Sequence, residues 1–171
     1  MKTIEVELAV AQYFNPRQNI VVPNVSWGFK GMHECDLFVL SKAGYASEIE
    51  IKVSKSDLMA DKKKKHGHVS KYIKNLFFAI PEKLYTEEII SHIPERAGIL
   101  MVKDHIWCGV HTVKKMRDPV SSKTPYKLSQ SERMGIMRLA TMRTWTLKKK
   151  IIKMMKEIAD AKSTTTAQHR G

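Results

Sequence analysis

Residues 34–53 read ECDLFVLSKAGYASEIEIKV: two strand-like runs joined by SKAG, a short link with a glycine. Apolar and β-branched runs of this length around a short polar turn predict an antiparallel hairpin. Upstream, NIVVPNVSW at 19–27 extends the hairpin to a three-stranded meander. In the second run, residues two apart share a face, so Glu48, Glu50 and Lys52 project together while Ile49, Ile51 and Val53 project into a core. An edge strand with a solvated face also shows such alternation.

Further out, TIEVELAVAQYF at 3–14 places Ile4, Leu8 and Ala11 at helical spacing, and Asn15-Pro16 ends the pattern. Ser56 or Asp57 caps a helix running to about His66, where Gly67 can take the left-handed terminal position. NLFFAIP at 75–81 is a near-continuous apolar run, as in a strand buried on both faces. A short helix over 83–91 follows, then two strands in AGILMV and IWCGVHTV. Beyond a Ser- and Pro-rich loop, residues 129–160 form a long basic helix, with Ser129 and Glu132 spaced as a capping box. The expected class is α/β: a core over 1–120, a basic helical extension of the same domain over 121–161, and a disordered tail over 162–171.

A chain of 171 residues, 43% hydrophobic, supports one compact domain. With no apolar run of about 18 residues and no signal-peptide pattern, the expectation is a cytoplasmic protein with no membrane partner. Cys35 and Cys108 lie in strand-like segments and read as core residues of a reduced compartment. The net charge of +13 and pI near 9.8 point to polyanions, nucleic acid first.

The hairpin brings Asp36 close to the Glu50 side of the sheet. Paired carboxylates beside a lysine suit phosphodiester hydrolysis. Carboxylates hold Mg²⁺ or Mn²⁺, the metal polarises the phosphate and helps generate hydroxide, and the lysine orients the water or neutralises developing charge. Asp36 followed by Glu50-Ile51-Lys52 resembles the PD-(D/E)XK nuclease superfamily, although Cys35 stands where the family's proline would. Together, EIEIKVSKSDLMADKKKKH, NLFFAIP and IPERAGILMV are similar to the MmcB-like DNA-repair endonucleases and related phage proteins, over roughly residues 20–102. The resemblance implies a restriction-endonuclease-like mixed β-sheet flanked by helices, with the long C-terminal helix outside it. It also implies a metal-dependent DNA endonuclease of repair, recombination or phage DNA processing in a bacterial or phage-infected cell, with Asp36 and Glu50 as metal ligands and Lys52 as catalytic helper. A further acidic residue from the first helix is implied. At about 100° per residue, Glu7 lies roughly 45° from the centre of the Ile4, Leu8, Ala11 and Phe14 stripe and Glu5 well over 100° away, so Glu7 is the better candidate, the other reading being an ordinary first-turn glutamate favoured by the helix dipole. Glu48 shares the Glu50 face and is either an alternative metal ligand or a support behind the ligands, or else an edge charge.

Lys62, Lys63, Lys64 and Lys65, with Lys55, His66 and His68, are candidate contacts to a nucleic-acid backbone. The bland reading is a solvated helix in which Asp57 and Asp61 pair with lysines a turn away. His33, Cys35, His66 and His68 are zinc-ligand types, but alternation sends Cys35 to the core if Asp36 faces the metal. Ile136, Leu139, Leu147, Ile151, Met155 and Ile158 of the last helix suit a core or a homodimer contact. Two rivals stand beside the nuclease: a non-catalytic nucleic-acid-binding module on the same fold, and a phage interaction protein acting through the last helix.

Overall fold

In a computed structural model of the chain, the described residues are 1–25, 34–61, 68 and 70–168, with side chains described as far as 160. The hairpin forms as its sequence predicts: β2 (Cys35–Leu40) and β3 (Ala46–Ile51) pair antiparallel with Leu37 opposite Ile49, and β1 (Ile20–Val25) pairs antiparallel with β2. Gly44 closes the link at φ +89°, which favours glycine, and its missing Cβ leaves room for the end of the Arg133 side chain. Beyond the meander, β4 (Ile73–Pro81) runs parallel to β3, β5 (Gly98–Trp107) parallel to β4, and β6 (Val110–Arg117) antiparallel to β5. The result is one mixed sheet in the order β1-β2-β3-β4-β5-β6, flanked by helices and followed by a long C-terminal helix. β3 is therefore an interior strand, which excludes the edge-strand reading of its charges.

The helices α2 (Lys55–Asp61) and α3 (Glu87–His92) lie in the β3-to-β4 and β4-to-β5 crossovers and pack on the same face. Right-handed connections that add parallel strands in one direction require this. Leu58 and Ile89 meet Leu76, Phe78, Ile80 and Ile99 there. The opposite face carries α1 (Thr3–Tyr13), whose Val6, Ala9 and Val10 pack on Leu37, Ile49, Ile51, Ala79 and Leu100. This corrects the predicted stripe: Ile4 and Leu8 are 60% and 55% exposed. The segment has apolar residues on two sides, and the side with Ala9 lets the helix axis approach the sheet closely.

Two local corrections concern turns and caps. The Ser54 hydroxyl, not Ser56 or Asp57, caps α2 by accepting the Asp57 N–H at 3.2 Å. IWCGVHTV is not one strand, because Cys108 and Gly109 take φ of +50° and +80° between the paired Trp107 and Val110. Two successive positive φ values make the hairpin turn whose twist matches the strands. Cys108 is consequently exposed and not part of a core, whereas Cys35 is buried and burial pushes its thiol far above the ordinary range. Iodoacetamide should therefore alkylate one thiol per native chain and two in guanidinium, counted by intact mass, and Cys108→Ser should abolish the native reaction.

The last helix, α4 (Gln130–Gln168), starts with the expected capping box: Ser129 N–H donates to Glu132 Oε2 at 2.7 Å, and Glu132 N–H donates to Ser129 Oγ at 3.4 Å. Ile136 and the preceding Leu128 pack on Val22, Phe38, Leu40 and Ile73. The tail assigned to 162–171 lies outside the described residues except for the helical backbone as far as Gln168.

Candidate active site

Alternation along β3 sends Ile49 and Ile51 to the α1 face and Glu48 and Glu50 to the α2 face, where Lys52 follows. Glu48, Glu50, Lys52, Asp61 and His68 are all buried, at 0, 1, 4, 7 and 3% exposure. Burial of that many ionisable groups requires pairing. The Lys52 ammonium lies 2.9 Å from Glu50 Oε2 and 2.9 Å from Asp61 Oδ1. The His68 ring bridges two carboxylates, with Nδ1 2.9 Å from Glu48 Oε1 and Nε2 2.6 Å from Asp61 Oδ2, and Glu50 Oε1 is 3.7 Å from Nδ1. With Glu48 and Asp61 ionised, the carboxylates accept only, both ring nitrogens donate, and the ring is an imidazolium. Arg96 holds the segment by donating to the His68 carbonyl at 2.7 Å.

The electrostatics follow from this arrangement. Burial pushes the His68 ring toward neutrality, but the bonds to Asp61 and Glu48 and the Glu50 charge outweigh it and raise the ring to about 9. Burial likewise opposes the Lys52 ammonium, and Glu50 and Asp61 overcome it, holding the group above its ordinary value. Glu50 is pushed up to about 7, first by burial and then by the Asp36 charge, with Lys52 and His68 pulling back. Two raised folded-state values have one sign: stability is fully present below the ordinary values of 4.5 for Glu50 and 6.5 for His68, and is lost as pH rises through about 7 and about 9. In chelator-treated protein, urea melts should thus show stability falling between pH 4.5 and 9. His68→Gln should flatten the upper limb, where one proton contributes up to about 1.4 kcal/mol per pH unit.

Asp36 flanks this network. Extending the Leu37–Ile49 register by one residue sets it across from Glu50, and its Oδ2 accepts the Ile51 N–H at 2.7 Å. From the α1 side comes Glu7, half-buried, its carboxyl raised by burial and by the Asp36 charge. Glu5 has a different use: it accepts the Lys2 N–H at the start of α1. Glu7 thus reaches Asp36 although the stripe that selected it is exposed. Glu7, Asp36, Glu50 and Lys52 form one electrostatic unit at the end of the β2–β3 hairpin.

The proposed nucleic-acid contacts fare differently. Lys55 is exposed and ion-pairs with Glu88 of α3. His68, expected at a phosphate-binding surface, is instead buried between Glu48 and Asp61, and those two carboxylates offset the cost of burying its ring. Lys62, Lys63, Lys64, Lys65 and His66 lie outside the described residues, as does His33 of the zinc set, and Cys35 packs in the core. Asp61 is the member that sequence reasoning missed as a site residue, and of the two readings of Glu48 the one on the Glu50 face is the one the interior strand leaves. The signal for Asp61 is its place one helical turn after the inward-facing Leu58. Among the described residues, Glu48, Glu50 and His68 bring one ligand-type atom each within 4.8 Å of one another, and His68 could ligate only as a neutral ring released from one of its carboxylates.

No helix among the described residues is long and apolar enough to cross a membrane. No family model matches the chain, and no curated protein is significantly similar to it. A solved structure, the SPO1766 protein of unknown function from Silicibacter pomeroyi, is similar with a TM-score of 0.61 at 16% sequence identity, over 88% of this chain and 91% of that chain. At that identity the likeness shows the fold alone.

Proposed function

We propose that the chain is a divalent-metal-dependent nuclease that hydrolyses phosphodiester bonds in DNA. The observation that carries this reading is the convergence of Asp36, Glu50 and Lys52 at one end of the hairpin, with Glu7 beside Asp36. Carboxylate oxygens from two strands, one of them raised by burial and then by its neighbour's negative charge, are a donor set suited to a hard cation such as Mg²⁺ or Mn²⁺. Asp36 and Glu50 would hold the metal, which supplies Lewis-acid polarisation of the phosphate and a more acidic water. Asp36 is oriented for that role by the Ile51 N–H. Lys52, fixed by Glu50 and Asp61, holds positive charge where it can stabilise the developing phosphorane or orient the nucleophile. Glu48, His68 and Asp61 hold Glu50 and Lys52 in place from behind.

A second reading, a non-catalytic nucleic-acid-binding module, draws support from the burial of Lys52 and its engagement with two carboxylates, a use that is also purely structural. Duplex, nicked, branched and single-stranded DNA incubated with Mg²⁺, Mn²⁺ or EDTA separates the two. The nuclease reading expects metal-dependent cleavage by wild type that Asp36→Ala lowers by about 10²-fold or more. DNA binding with no metal-dependent cleavage of any form overturns it in favour of the module.

A further inference from the structure

From residue 144 onward α4 presents Leu147, Ile151, Met154 and Ile158, exposed at 57, 46, 59 and 53%. Their spacing of four, three and four is that of successive a and d positions in a heptad. The row continues the side on which Ile136 and Ala140 pack against the sheet domain. One seam thus serves the chain's own core at its start and has nothing of the described chain against it farther on. Contiguous exposed apolar surface of this kind marks an interaction site.

We infer that α4 pairs with α4 of a second copy of this chain as an antiparallel two-helix coiled coil. The inference is independent of the nuclease reading. With Leu147 and Met154 at d and Ile151 and Ile158 at a, an antiparallel pair stacks Leu147 on Ile158 of the second copy and Ile151 on Met154 of the second copy. This register centres the two-fold axis near residues 152–153. It also sets Lys150 beside Glu157 of the second copy, and Glu157 beside its Lys150, so the flanking charges are complementary twice. Glu157 has only a loose ion pair with Lys153 in its own helix, at 3.8 Å and well exposed. Lys149, Lys153 and Lys156 occupy positions pointing away from the seam and stay solvated. Trp145, with the Lys148 ammonium 5.0 Å from its ring centre, also lies outside it.

The placement of the globular bodies favours the antiparallel sense. Arg143 still reaches the Asn24 carbonyl of β1, so the helix leaves the body just beyond it. Residues 144–160 span about 26 Å at 1.5 Å per residue. An antiparallel pair sets the two bodies at opposite ends of that span. A parallel pair would put two chains of net charge +13 side by side.

Light scattering after size exclusion tests the association, with an expected mass of twice the 19.6 kDa chain at tens of micromolar. Ile151→Glu with Met154→Glu, at exposed positions, should give the single-chain mass with an unchanged near-UV circular dichroism spectrum and a melting temperature that no longer rises with protein concentration. Orientation is read in a Cys108→Ser background. Leu147→Cys and Ile158→Cys chains, mixed and oxidised, should form the mixed disulfide, and neither should cross-link alone. A wild-type monomer, or a double variant that keeps the wild-type mass, overturns the proposal. Leu147→Cys chains that cross-link to themselves overturn the antiparallel sense. Association only when anionic vesicles or duplex DNA are added assigns the face to that partner and likewise overturns it.

Discussion

Asp61→Ala is expected to destabilise the fold by about 3–5 kcal/mol, a large part of the roughly 5–15 kcal/mol that holds a domain of this size together. Asp61 makes close contacts to both Lys52, at 2.9 Å, and His68, at 2.6 Å. Its removal leaves Lys52 with Glu50 and His68 with Glu48, in an interior where water cannot make up the loss. The loss falls on two groups at once: each keeps one carboxylate but is left a partner short, and a buried donor without its partner costs about 1–3 kcal/mol. His68 has an escape, since it can release its proton once the bond to Asp61 is gone, and this caps the loss. The same feature predicts coupling. In a double-mutant cycle of Asp61→Ala with His68→Ala, followed by urea unfolding at pH 7, the combined effect should fall short of the sum by about 1–3 kcal/mol. Additive effects, or an Asp61→Ala effect below about 0.5 kcal/mol, would show that the five buried groups do not act as a network.

The hairpin and the long apolar run were legible in the sequence because each is a local pattern. Alternation sets the faces of β3, Gly44 marks the turn, and the unbroken NLFFAIP run marks a strand covered on both sides. The α4 capping box was legible for the same reason, since Ser129 and Glu132 are three residues apart. Where local signals tie, tertiary packing decides. The α1 segment carries two apolar faces, and nothing in it says that Val6, Ala9 and Val10 fit the sheet better than Ile4 and Leu8. Cys108-Gly109 is a turn pair, yet the apolar residues on either side read as one run. Burial of the charged face was the least legible feature. It depends on β3 being interior and on α2 lying over it, and both follow from a crossover that adds β4 in parallel. Once those are known, Glu48 ceases to be an odd charge on a strand and becomes a carboxylate holding His68.

Glu50→Gln should do the reverse of Asp61→Ala: leave stability at pH 8 unchanged or slightly higher, and remove about 10²–10³-fold or more of metal-dependent cleavage. The folded state already disfavours the Glu50 charge, because burial and the Asp36 carboxylate push it up to about 7 from an ordinary 4.5. At pH 8 the ionised form is therefore carried at a cost, and a neutral amide of the same shape relieves it. Lys52 keeps Asp61 at 2.9 Å, so the substitution strands no cation. What the amide lacks is the anionic oxygen that a divalent ion requires next to Asp36. Thermal melts in EDTA and single-turnover cleavage with Mn²⁺, run on the same preparations, separate the two effects. A purely structural Glu50 predicts that stability and any activity move together. Melts equal to wild type with cleavage lost assign the carboxylate to metal chemistry, whereas cleavage kept at the wild-type rate removes Glu50 from the site.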